Sequence, residues 1–314
     1  MRKLLPNILL FFQKKSLQMI IISSIAWGCT DNEVTITNEP QPSSIDKLNA
    51  LFDDAVVGEK KFAHFNSTQS FTYTSERGTT VTVQPNSLTL NGSAVTGTVI
   101  LELVEIYDKA KMSITNKPSM GLLPNKEWEI MQSGGEFYVN VVSLTGQNLT
   151  LTKPIEIVTS ASNTGGMLEG MRLFKGLITD NNLGWEQTAT VVFTDTRANT
   201  YKFSVPNLGW FNVDRFYGYP EPKTLITAKV PVGFDKVSQV LVLPKNTPNA
   251  LGTLGGKYPV GLQCYLIFVT ENNGNYLWIT NEETLTPNHT ATFDIKKAKA
   301  GKKADWQGHV TLLK

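Results

Sequence analysis

The chain has 314 residues, too long for one small module and long enough for two or three domains with cores of their own. Its 29 Lys+Arg against 27 Asp+Glu give a formal net charge of +2, which excludes the broad basic surface that a nucleic-acid partner requires. Charged residues at 18% and hydrophobic ones at 41% exclude a disordered chain as well.

Residues 1–28 hold Arg2, Lys3, Lys14 and Lys15 and no acid, and end in an apolar run before Cys29. A basic segment, a short apolar segment and a small residue before a cysteine predict a signal peptide over 1–28. The apolar run, residues 17–28, is well short of the roughly 20 residues that span a bilayer core. Ala26-Trp27-Gly28-Cys29 resembles a bacterial lipobox, which implies cleavage before Cys29 and lipidation of its thiol. Acyl chains at about 0.8 kcal/mol per buried CH₂ would then hold the protein on a membrane. Removing 1–28 leaves 25 basic against 27 acidic residues, so no basic face assists the anchor. Thr30-Asp31-Asn32-Glu33 resembles the acidic export signal of Bacteroidota-type surface lipoproteins, which implies an outer-membrane, surface-exposed location.

Residues 29–61 are polar, carry Pro40 and Pro42, and read as a tether with one short helix. Ser43 or Ser44 would cap that helix, and Ile45, Leu48, Leu51 and Phe52 recur at helical spacing. From residue 71 the pattern changes to short alternating strands at 71–74, 79–83, 95–106 and 136–142, with turn chemistry at Asn91-Gly92. Further strands are predicted at 155–158, 171–174, 189–193 and 201–205. Pro220 and Pro222 mark a boundary, because proline cannot continue a ladder. Beyond it, 225–230, 237–243, 262–269, 276–280, 290–294 and 309–313 predict an immunoglobulin-like sandwich, with Asn272-Asn273-Gly274-Asn275 as a hairpin turn. No helix of ten residues is expected after the tether. The fold class is therefore all-β, with tandem sandwiches over 62–220 and 221–314.

Gly78-Thr79-Thr80-Val81-Thr82-Val83, Gly134-Gly135-Glu136-Phe137-Tyr138-Val139 and Leu208-Gly209-Trp210-Phe211-Asn212-Val213-Asp214-Arg215-Phe216 carry a family likeness. Across roughly 70–220 they resemble the ZU5-like module of Bacteroidota surface lipoproteins. The resemblance implies a β-rich module and, by analogy with animal ZU5 modules, a role in protein contacts. It carries no metal or thiol role to Glu136 or Val213.

Residues with chemical potential are few. With Cys29 lipidated, Cys264 has no disulfide partner and reads as a small buried hydrophobe. His64-Phe65-Asn66-Ser67 is similar to a ZU5-associated autoproteolysis site, but Asn66 separates the phenylalanine from the serine that would attack. His64, His289 and His309 adjoin no nucleophile elbow, and Asp53-Asp54 and Glu282-Glu283 read as solvated charges rather than calcium ligands. No catalytic residue, metal ligand or cofactor is assigned. Trp210, Asn212, Asp214, Arg215, Tyr217 and Tyr219 are the candidate ligand-binding set, because aromatic faces with amide and charged neighbours suit a glycan. The competing and preferred expectation has Trp210 and Phe216 fill a core or a joint between domains. Trp128, with Asn125, Lys126 and Glu127, and Trp278 form a second rank. The sequence thus predicts a non-enzymatic, lipid-anchored surface protein acting as an interaction or assembly scaffold, its partner a protein or a glycan. A surface glycan-binding lipoprotein and a hydrolase with an unrecognised site are the alternatives.

Overall fold

Side chains that alternate between β-branched and polar give each strand one face for a core, and the computed structural model is built mainly from such strands. It describes residues 40–179, 182–218 and 221–314. The signal peptide, Cys29 and Tyr219 lie outside the described residues.

The described chain opens with α1 (Ile45–Glu59), followed by β1 (Lys61–Asn66), β2 (Phe71–Thr74), β3 (Thr80–Val83), β4 (Leu88–Leu90), β5 (Ser93–Ala94) and β6 (Thr98–Ile106). Helix α2 (Lys109–Thr115) precedes β7 (Met120–Leu122), the long β8 (Trp128–Ser143), β9 (Thr150–Leu151) and β10 (Ile155–Ser160). Then come β11 (Arg172–Thr179), β12 (Asn182–Gln187), β13 (Phe193–Asp195), β14 (Thr200–Val205) and β15 (Gly209–Phe216). The rest comprises β16 (Lys223–Thr224), β17 (Thr227–Lys229), β18 (Ser238–Pro244), β19 (Gly252–Thr253), β20 (Tyr258–Pro259), β21 (Gln263–Asn272), β22 (Asn275–Thr284), β23 (Thr290–Thr292), β24 (Lys299–Gly301) and α3 (Lys303–Leu312).

The fold class is all-β, as the alternation predicts. One sheet has the order β1-β6-β8-β15-β11-β12-β7 and the other β13-β14-β10-β3-β2. Leu101, Phe137, Val139 and Phe211 from the first pack with Val81, Ile157 and Phe203 from the second. Strand β7 pairs in parallel with β12 and antiparallel with β8, so β8, β15, β11, β12 and β7 close into a ring. Met131, Phe174, Leu183 and Trp185 form a small core there, and Trp185 Nε1 donates to the Pro118 carbonyl at 2.8 Å. Gly121 leaves the room they need, because a Cβ there would lie 2.5 Å from Met131 Sδ.

The last third centres on the sheet β19-β18-β21-β22-β24. Its strands read as nearly continuous apolar runs because both faces are buried. Val242, Leu266, Phe268 and Leu277 face Ile226, Ala291 and Phe293. Leu243, Ile267, Tyr276 and Trp278 share the opposite core with Leu48 and Phe52 of α1, Ile114 of α2, and Trp306 and Val310 of α3. The cover on that face is thus three helices, two of them contributed by residues before β7. This differs from the immunoglobulin-like pair of sheets expected for 221–314. The described residues form one compact unit.

Two sequence expectations change here. Ser44 does cap α1, accepting from the Lys47 N–H at 3.3 Å. The helix is not part of a free tether, however, because Leu48 and Ala55 are completely buried. Of residues 309–313, expected as a strand, 309–312 belong to α3 and Leu313 caps it. The Lys302 N–H donates to the Asp305 carboxylate at 2.8 Å, and Trp306 and Val310, one turn apart, bury the same face. Packing therefore overrides the β-branched pattern of Val310 and Thr311.

If α1 is structural, Leu48→Ala should cost about 2–5 kcal/mol in urea denaturation. Val57→Ala, at a position 63% exposed on the same helix, should change stability by less than about 0.5 kcal/mol. Equal and small effects would return α1 to the tether.

Candidate binding site

Strand β15 carries most of the predicted ligand set, and its two faces have different fates. Phe211 and Val213 enter the sandwich core. Trp210, Asn212 and Asp214 lie on the other face, opposite Tyr138, Glu136 and Ser133 of β8. The pairing slips between Asn212 and Asp214, where Gly134 and Gly135 together oppose Val213. This is a β-bulge, and it reverses the parity of β8. Ser133 and Glu136 thereby reach the same face although they are three residues apart. Glycine is needed at both positions. A Cβ on Gly134 would sit 2.9 Å from the Val213 carbonyl, and Gly135 has φ +133°.

The bulge gathers a sealed polar cluster. Asn212 and Asp214, the polar members expected to meet a ligand, have no exposed surface. This corrects their assignment as surface ligands, because the strand turns them inward. Asn212 Nδ2 donates to Asp214 Oδ2 at 2.7 Å, and Ser133 Oγ donates to Asn212 Oδ1 at 3.0 Å. Glu136 is equally buried, and neither its two carboxyl oxygens nor Asp214 Oδ1 has a hydrogen-bond partner. Burial pushes the Glu136 carboxyl well above the usual range, and Asp214 beside it adds to the effect against the opposing pull of Lys117. Burial likewise raises Asp214 well above its ordinary value, opposed by the polar groups of Ser133 and Asn212 and the backbone of Gly134 close by. An unpaired buried carboxylate is costly, so the folded protein favours the neutral acid at both positions.

Trp210 is the member of the set that reaches an open space. It lines a recess of about 310 Å³ with Asn49, Phe52, Asp53 and Val56 of α1, Asn116 and Lys117 after α2, and Ile178 and Leu183. The Lys117 ammonium lies over the indole, 5.3 Å from its centroid, and the Tyr138 ring packs at 5.4 Å. Lys117 also donates to the Thr115 carbonyl at 3.0 Å. Its burial lowers its pKa, while Glu136 and Asp53 oppose that shift.

The remaining candidates are dispersed. Arg215 binds Gln132 Oε1 through Nε and Nη2 at 3.0 and 2.7 Å and reaches the Glu169 carbonyl, on the sandwich side of β15. Tyr217 shares a hydrogen bond with Thr247 at 3.1 Å. Trp278 is 2% exposed and packs on Trp306, so it is a core residue. Trp128 is half-buried and lines a second cleft, of about 410 Å³, with Met120, Leu183, Val240, Ser238 and Thr253. Cys264 is buried and its thiol is pushed up to about 12 by that burial. His309 shares a hydrogen bond with Thr280 at 2.8 Å, His289 Nδ1 accepts the Thr286 N–H, and His64 is exposed on β1. Among the described residues no three His, Cys, Asp or Glu side chains gather to hold a metal ion.

Sequence reasoning singled out Trp210 but missed Lys117, Ser133 and Glu136 as its neighbours. The available signal was Gly134-Gly135 inside a strand, which marks a bulge. The class of protein these features define is an all-β sandwich protein with a tryptophan-lined recess beside a sealed acid cluster. No family model matches the chain, and no curated protein matches it.

The cluster gives a pH dependence of definite sign. Because the folded-state pKa values are raised, the folded protein binds more protons than the unfolded chain above about pH 4. Stability contributed at low pH is lost as pH rises through the unfolded toward the folded values. Glu136→Gln should stabilise the protein at pH 8 by about 1 kcal/mol or more and flatten the fall in stability between pH 5 and 8, measured by urea denaturation. A variant less stable than wild type at both pH values would show that the ionised form is required.

Proposed function

We propose that the protein is a non-enzymatic, lipid-anchored protein of the outer-membrane surface, a ZU5-like interaction or assembly module that works by binding. The observation that carries this reading is the division of β15, which seals its carboxyl chemistry inside and presents Trp210 at an open recess. A hydrolase needs its acids within reach of a substrate, and Glu136 and Asp214 have no exposed surface. The anchor reading is supported by the basic and apolar segments that precede Cys29. A glycan partner is the second reading, favoured by Trp128, whose cleft also holds Ser238, Gln239 and Thr253 as polar groups.

The test is metabolic labelling of cells producing the full chain with an alkyne analogue of palmitate. The wild-type protein should be labelled, should sediment with membranes and should be removed by protease added to intact cells. Cys29→Ser should lose the label and be released. Label retained on the variant would overturn the anchor, and protease resistance on intact cells would overturn surface exposure.

A further inference from the structure

The recess beside Trp210 has a charge pattern that selects a ligand class. Asn49, Phe52, Asp53 and Val56 are spaced at i, i+3, i+4 and i+7, so one face of α1 forms a wall. Lys117 lines the same recess directly after Asn116, which ends α2 in the left-handed conformation at φ 50°. A cation and an anion therefore line one small space. Phe52, Val56, Ile178, Leu183 and Trp210 supply its apolar lining, and Asn49 and Asn116 are its neutral polar members.

We propose that this recess binds a free α-amino acid with an aliphatic side chain, its carboxylate on Lys117 and its ammonium on Asp53. The inference rests on the reading of the protein as a binding protein and names its ligand. One of the three Lys117 N–H bonds goes to the Thr115 carbonyl, and Lys117 lines the recess with its ammonium over the indole. A zwitterion answers both charges at once. An acidic sugar carries no group to answer Asp53. The indole is also a poor platform for a sugar ring, with Lys117 at 5.3 Å and Tyr138 at 5.4 Å already packed on it. At about 310 Å³ the space is at the lower end of small-molecule sites, which suits one amino acid better than an oligosaccharide.

Isothermal calorimetry on the full lipidated chain in detergent tests the proposal, with L-leucine as the probe. Saturable one-to-one binding is expected. L-leucine methyl ester and N-acetyl-L-leucine, each lacking one charge, should bind about tenfold more weakly or worse. Lys117→Met should abolish the preference for the free acid over the ester. Asp53→Asn, at an exposed position where folding is not at stake, should abolish the preference for the free amine. No saturable binding of L-leucine at millimolar concentration would overturn the proposal. So would equal binding of the three leucine derivatives, or tighter binding of glucuronate. Failure of leucine binding by a chain still labelled at Cys29 removes the ligand alone, whereas loss of labelling removes the anchored-surface reading irrespective of calorimetry.

Discussion

The structure depends on one change of parity within one strand. β8 belongs to two bodies, since its first residues help close the five-stranded ring and its last residues line the sandwich. A strand with uninterrupted alternation cannot serve both with the same set of positions. The extra residue at Gly134-Gly135 solves this, sending Met131 to the ring core and Phe137 to the sandwich core. The same shift lays Ser133 and Glu136 side by side against Asn212 and Asp214, so the polar cluster is a by-product of joining two cores.

The joint explains why carboxyl groups are found where no solvent reaches. Asp214 is partly satisfied by Asn212. Glu136 has no such compensation, and its neighbours are a second acid and the Lys117 ammonium nearby. Lys117 thereby links the sealed cluster to the open recess. It feels Glu136 on one side and Asp53 on the other.

Much of the architecture was legible in the sequence because alternation is a local property. Val81, Val83, Leu101, Leu103, Phe137 and Val139 all occupy the core that their period-two pattern predicts. The Ser44 cap was legible for the same reason. What could not be read is whatever depends on a partner distant along the chain. Asn212 and Asp214 look like surface residues by type, and only the pairing with a bulged β8 turns them inward. Val310 looks strand-like beside Thr311 and lies instead in a helix whose Trp306 packs on Trp278 and Tyr276, far back in the sequence. The recess belongs to the same category, since it joins residues of α1, the end of α2 and β15.

The helical layer has a consequence for the order of folding. Tyr276 donates its hydroxyl proton to the Leu51 carbonyl across 225 positions, and Lys109 reaches the Leu313 carbonyl across 204. Contacts of such separation demand that a long loop be closed before any burial rewards it. The hairpins of the sandwich can pair as they emerge, but the core shared by Leu48, Ile114 and Trp306 must await α3. Synthesis therefore leaves this core incomplete until α3 has emerged and docked.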